Sequence, residues 1–376
     1  MSLPRVSRRA LLGSAALAAP ASLLTGCSGG TTTAMTTTAA APAASPGQDG
    51  DRLLLLGTRG GPGWSPDRLG IGSALVVGDA VYVVDCGDGS ARQLASALDP
   101  TLRRPDMFAG VRGIFLTHLH SDHLMDYYTL LSFGSSRGLG GARPVPVVGP
   151  GRRGAMQPAT AQELAGEPEP RIVVPANPTP GTVDMTRRLI EAFALDVNDR
   201  VRDLGYPPLD EIVAPRDVVL PPEVPYAPNT PEPPRMEPFE VHRDEQVRVT
   251  ATLVSHFPVA PSYGYRFDFN GRSVVFSGDT GPSENLIRLA AGADVLVHEV
   301  IDPDWIASRP PASRQHHQSA HTAADQLGPI AERAGVRTLV LTHIVPADSP
   351  RATLERAAGG FSGELVVGTD GAALPV

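Results

Sequence analysis

The chain has 376 residues, 41% apolar and 19% charged, enough for one large core and too apolar for a disordered polymer. Its net charge is −8, and all 32 basic residues are arginine. That balance excludes an electrostatic reason to seek nucleic acid, since binding to phosphate backbones needs a basic surface.

The first fifty residues read as targeting rather than fold. Ser7-Arg8-Arg9 and the apolar stretch over 11–24 resemble a twin-arginine export signal, and the stretch is too short and Ala-rich to span a membrane. Leu24-Thr25-Gly26-Cys27 resembles the lipobox of bacterial lipoproteins. It implies loss of 1–26 as a signal peptide and acylation of Cys27. The mature chain is then expected at the outer face of the cytoplasmic membrane or in the cell envelope. The alternatives are an ordinary signal peptide cut elsewhere, for instance within 39–44, or a start site placed too early. Residues 27–50 are rich in Ser, Gly, Thr, Ala and Pro, which predicts a disordered tether. The folded domain is expected over 51–376. The other cysteine, Cys86, follows an apolar strand pattern, and no disulfide with Cys27 is expected.

Apolar runs at 52–56, 72–77 and 80–84 predict strands, the last two joined by a Gly78-Asp79 hairpin turn. Residues 90–98 read as a helix, 111–116 as a strand, 124–133 as a helix, 144–148 as a strand and 184–195 as a helix. A Pro-dense stretch, about 199–245, reads as an inserted arm or lid. Strands resume at 247–255, 263–269, 273–277 and 295–298, with helical spacing at 286–291 and 322–334, and a last strand at 338–342. Strands meet helices along two similar halves, which predicts an α/β fold with a helical layer on each outer face.

Four potential metal ligands crowd into Thr117-His118-Leu119-His120-Ser121-Asp122-His123, on the loop leaving an apolar strand. On an extended segment His118 and His120 project to one side, leaving Asp122 and His123 to face a second ion. Imidazole and carboxylate are ligands zinc accepts.

This run resembles the signature of the metallo-β-lactamase superfamily. Further motifs follow in order: His256 in Val254-Ser255-His256-Phe257, Asp279 in Ser277-Gly278-Asp279-Thr280, and His343 in Leu341-Thr342-His343. Leu56-Gly57-Thr58, Val84-Asp85-Cys86-Gly87-Asp88-Gly89, His298-Glu299 and Ser319-Ala320-His321-Thr322-Ala323 resemble the ribonuclease Z and arylsulfatase-like branch. The resemblance implies an αββα sandwich of two mixed β-sheets with helices on both outer faces. It also implies two zinc ions, with Mn2+ or Fe2+ as alternatives. His118, His120 and His256 would hold one ion, Asp122, His123 and His343 the other, with Asp279 bridging. Asp85 would support the metal loop from beneath. Asp122 would orient the attacking water, and His321, supported by Glu299 and His298, would act on the leaving group. His316 and His317 read as solvated residues of a polar loop.

The function expected is hydrolysis of a small-molecule phosphodiester or sulfate ester. Between Asp199 and Glu245 eleven acids face five arginines, a net −6 that suits no tRNA clamp, so nucleic acid is not the expected substrate. Alternatives are a lactonase or β-lactamase, or a non-catalytic metal- or ligand-binding lipoprotein. The branch often dimerises, so a homodimer is carried as an expectation.

Overall fold

Leu53 to Leu56 divide by strict alternation: Leu53 and Leu55 enter a core between two sheets, Leu54 and Leu56 a core between sheet and helices. A strand covered on both faces is apolar at every position, which is why these runs do not alternate in sequence. The computed structural model describes residues 50–157 and 168–376. The signal peptide, Cys27 and all but the last residue of the tether lie outside the described residues. Cys86 is a buried free thiol. No described helix is long and apolar enough to cross a membrane.

Among the described residues, the first-half strands are β1 (Arg52–Gly57), β2 (Gly72–Val77), β3 (Ala80–Val84), β4 (Val111–Phe115), β5 (Val145–Pro150) and β6 (Val213–Val218). The second half contributes β7 (Phe239–Arg243), β8 (Arg248–Leu253), β9 (Tyr263–Phe269), β10 (Arg272–Phe276), β11 (Val295–Ile301), β12 (Thr338–Val345), β13 (Glu364–Val367) and β14 (Ala373–Pro375). Two seven-stranded sheets result, ordered β14-β1-β2-β3-β4-β5-β6 and β13-β12-β11-β10-β9-β8-β7. Each begins with antiparallel pairs and passes to parallel ones, β3 to β6 in the first and β10 to β13 in the second. The expected sandwich of two mixed sheets is observed. The last strand crosses back to pair with β1, Leu53 opposite Leu374.

Aromatic rings fill the inter-sheet core, with Phe115 against Phe267 at 5.0 Å edge to face. Helices Ser90–Leu98 (α1) and Tyr127–Ser135 (α2) cover the first sheet, Glu284–Leu289 and Ala324–Ala334 the second.

Two expectations are corrected. The Pro-dense stretch read as an inserted arm contributes strands to both sheets. Its residues 213–218 form β6, paired with β5 from Val145↔Val213 to Pro150↔Val218, and 239–243 form β7. Both are edge strands, where proline is tolerated. Between them, 219–238 carries the chain from one sheet to the other, with Met236 buried in the inter-sheet core and Leu220, Val224 and Tyr226 packed against it. The helix expected over 184–195 is two helices, Thr182–Ala192 and Ala194–Leu204, interrupted at Phe193.

Candidate metal centre

Strand β4 ends at Phe115, and the chain runs through Thr117 and His118 into a 3-10 turn at Ser121–His123. Asp85, at the end of β3, holds this loop from beneath. Its carboxylate accepts the Thr117 N–H and hydroxyl, each at 2.8 Å, and the His123 Nδ1–H at 2.8 Å. With its hydroxyl proton given to Asp85, Thr117 Oγ1 accepts from His118 Nδ1 at 3.1 Å. The tautomers that satisfy these groups free Nε2 of His118 and His123 for the centre.

The second half delivers its ligands one at a time. His256 follows β8 and donates Nδ1–H to the Ala320 carbonyl at 2.9 Å. Asp279 follows β10 after Gly278, whose φ is +60 and whose added Cβ would meet Tyr263 O at 2.8 Å and Thr117 Cβ at 2.9 Å. Only glycine fits there. His343 sits where the β11–β12 register shifts, at φ 44. The bulge leaves His343 as the extra residue between Thr342 and Ile344. An added Cβ at Gly60 would lie 2.4 Å from the His343 ring, so the 59–63 loop packs directly on it.

These segments bring all seven expected ligands together. His118, His120, His256 and Asp279 form one group, and Asp122, His123 and His343 another, with ligand atoms within 4.8 Å of one another in each. Asp279 reaches both groups: Oδ2 is 3.7 Å from Nε2 of His118 and of His256 and 3.1 Å from Nε2 of His343, and Oδ1 is 3.3 Å from Nε2 of His123. Nε2 of His118, His123 and His343 and Oδ1 of Asp279 are buried without hydrogen-bond partners. Such orphans are costly unless something satisfies them. A pair of divalent cations would do so, and the N/O donor set is compatible with a dinuclear metal site.

The electrostatics agree. Burial alone would raise the Asp279 carboxyl, but His343, His123 and His118 hold it well below the usual range. Burial pulls His343 down, yet Asp279 and Asp122 push it up to about 10. His256, with burial dominant, falls to about 3.

Comparison with known proteins decides the family. Residues 209–344, which include His256, Asp279 and His343, match the family described as "Beta-lactamase superfamily domain". The chain is 31% identical over 330 residues to "Ribonuclease Z" of Mycobacterium bovis (strain BCG / Pasteur 1173P2), covering 85% of this chain and 95% of that protein. Against "Ribonuclease Z" of Mycobacterium avium (strain 104) identity is 32% over 322 residues, 85% of this chain and 95% of that one. The chain belongs to the ribonuclease Z branch of the metallo-β-lactamase superfamily. Two solved structures share the fold. Human short-form tRNase Z matches with TM-score 0.56 at 20% identity, over 87% of this chain and 100% of that one. The metallo-β-lactamase-fold protein YhfI from Bacillus subtilis matches with TM-score 0.53 at 19% identity, over 86% and 99%.

The chain is thus a member of a family of metal-dependent hydrolases. A cleft of about 750 Å3 is lined by His120, Asp122, Asp279 and His343, and by His321. His321 follows helix Pro311–Ala320, and its Nδ1 meets Glu299 Oε1 at 3.1 Å; that oxygen also accepts the Thr280 N–H at 2.9 Å. Burial pulls the His321 imidazole down, but Glu299 and then Asp279 raise it above its ordinary value.

His298 does not join them. Along β11, Val295 and Val297 enter the inter-sheet core, and Leu296 and Val300 the helix-side core. By the same alternation Glu299 faces the site and His298 the helices. His298 is fully buried, its Nδ1 donating to the Glu299 carbonyl at 2.7 Å. Burial lowers its pKa to about 4. The structure therefore gives it no place among groups that touch substrate.

His316 and His317 lie on the helix Pro311–Ala320 rather than in a loop. His317 is half-buried, its ring 6.0 Å from His321 and 5.0 Å from Trp305. Three features escaped the sequence reading: the Thr117 relay, the Gly61 N–H donated to Asp122 Oδ2 at 2.9 Å, and Trp64 and Trp305 in the cleft wall. A tryptophan inside the Gly- and Pro-rich 60–66 loop was the one available signal.

Proposed function

We propose that the chain is an exported dizinc phosphodiesterase acting on small phosphodiesters. The carrying observation is the complete ligand set with its buried orphan atoms, opening on a cleft where the His321–Glu299 pair stands. Relatives named ribonuclease Z support a phosphodiester over a sulfate ester. The net charge of −8 supports a small ester over polyanionic RNA. Asp67 and Asp348 in the cleft wall point the same way.

His118, His120 and His256 would hold one ion and Asp122, His123 and His343 the other, with Asp279 between. When bound, the two cations supply Lewis acidity, easing deprotonation of water and offsetting charge on the phosphoryl oxygens. Asp122, its Oδ2 held by the Gly61 N–H, orients the incoming water. Glu299 fixes His321 through Nδ1, so that the proton on Nε2 passes to the leaving oxygen. Asp279 keeps the positive charges together.

Purified full-length protein loaded with zinc, Mn2+ or Fe2+ tests this reading through bound-metal content and turnover. Bis-p-nitrophenyl phosphate is expected to be the best substrate, ahead of p-nitrophenyl sulfate and a precursor tRNA. A higher kcat/KM on the tRNA overturns the small-substrate reading. A sulfatase without diesterase activity overturns the reaction. Anchorage through Cys27 is part of the proposal, and fractionation of Cys27→Ala should move the protein from membrane to soluble fraction.

A further inference from the structure

The chain holds two tryptophans, and both line the cleft over the metal centre. Trp64 is 91% exposed. Its loop is nevertheless anchored: the Gly61 N–H donates to Asp122 Oδ2, and Arg68 Nη1 donates to Thr58 Oγ1 at 2.6 Å and the Gly368 carbonyl at 3.0 Å. A fixed loop therefore holds an indole in water beside the ligands, leaving a large apolar area unburied.

Trp305 is half-buried on the short helix Pro303–Ala307, where Asp302 accepts the N–H groups of Asp304 and Trp305 at 2.7 and 3.1 Å. The Arg309 guanidinium lies over its ring, 4.7 Å from the centroid, and the His317 ring packs at 61° to it. Its orientation is set before any ligand arrives.

At about 750 Å3 the cleft exceeds what one phosphoryl group needs and matches a small organic ester. It lacks a track for further phosphates. Arg59 is the one arginine among the lining residues described; it is 4% exposed and engaged with Asp88 and the carbonyls of Gly61 and Arg68.

The geometry points to Trp64 and Trp305 as the specificity walls of this cleft, stacking a planar ring, nucleobase or aryl group, carried on the ester beside the metal centre. The assignment rests on reading the cleft as hydrolytic. Stacking on aromatic side chains tolerates any flat ring, and it is strong enough to set substrate preference.

Calorimetric titration of the zinc-loaded full chain tests the assignment with adenosine 5′-monophosphate, phenyl phosphate and ribose 5-phosphate. Both ring-bearing esters are expected to bind at least about tenfold more tightly than ribose 5-phosphate. Trp64→Ala and Trp305→Ala should each weaken them roughly 5- to 100-fold. The phenylalanine variants should restore most of the loss, and ribose 5-phosphate should bind all variants within about twofold. Tighter binding of the nucleotide than of phenyl phosphate identifies a nucleobase, and the reverse an aryl group. Equal binding of all three esters overturns the assignment, as does an unchanged ring preference in both alanine variants. Turnover of bis-p-nitrophenyl phosphate separates the two readings. Ring preference without turnover sinks the hydrolase and spares the tryptophans, whereas turnover without ring preference does the opposite.

Discussion

The two halves of the sandwich hold their shares of the metal centre by different means. The first half places four ligands, His118, His120, Asp122 and His123, on one strand-end loop, with the Asp85 carboxylate bonded to both Thr117 and His123. The second half sends His256, Asp279 and His343 from separate strands, each set by a different device. These are a carbonyl bond from Ala320, a tight turn at Gly278, and a bulge in β12 beneath Gly60. Ligands on one loop stand or fall together, whereas scattered ligands depend on the register of a whole sheet.

That contrast can be tested hardest at Asp279, whose carboxylate reaches both sets. Asp279→Ala should cost at least about 10^3-fold in turnover, more than the tenfold to hundredfold of an outer partner, and should empty both metal positions. Retention of two ions per chain by elemental analysis would show that the halves bind independently. His321→Ala is expected next: roughly a hundredfold loss on alkyl phosphodiesters, a smaller loss on nitrophenyl esters, and two ions kept. Metal loss in that variant would make His321 a ligand instead; it lies within reach of Asp279 and His343.

Asp85→Asn probes the carboxylate that supports the first-half loop. It should weaken metal affinity about tenfold to hundredfold by releasing His123 and Thr117 together. An unchanged affinity in competition with a chelator would mean that the loop holds its own shape. The last effect, read per unit of pH, concerns protonation. Because Asp279 and Asp122 raise His343 to about 10, the metal-free ring is protonated at pH 7 to 9, and a cation must displace that proton. Zinc affinity should therefore fall about tenfold per unit as pH drops from 9 to 7 for each proton released. A flat profile by calorimetry would show the ring to be neutral beforehand.

The same contrast sets what could be read in advance. His118 to His123 announce themselves because their ligands lie within six residues behind an apolar strand. His256, Asp279 and His343 are single residues, and only resemblance to a family places them. His298 was misplaced because adjacency in sequence puts neighbours on opposite faces of a strand, and Glu299 took the inward position. The prolines of 199–245 suggest broken structure in sequence, whereas edge strands accept them. His317 looked solvated because a polar stretch alone does not reveal the Trp305 ring against it.

Composition, strand runs and the dense ligand loop by themselves determined the layered α/β class, the metal chemistry and the place of its first ligands, since these follow from local periodicity and donor type. Tertiary structure decided the rest. Sheet register carried Asp279 and His343 across to the first-half loop, strand alternation chose Glu299 over His298, and an anchored loop held Trp64 at the cleft. Each is a contact between residues far apart in the chain, and such contacts exist only once the two sheets have packed.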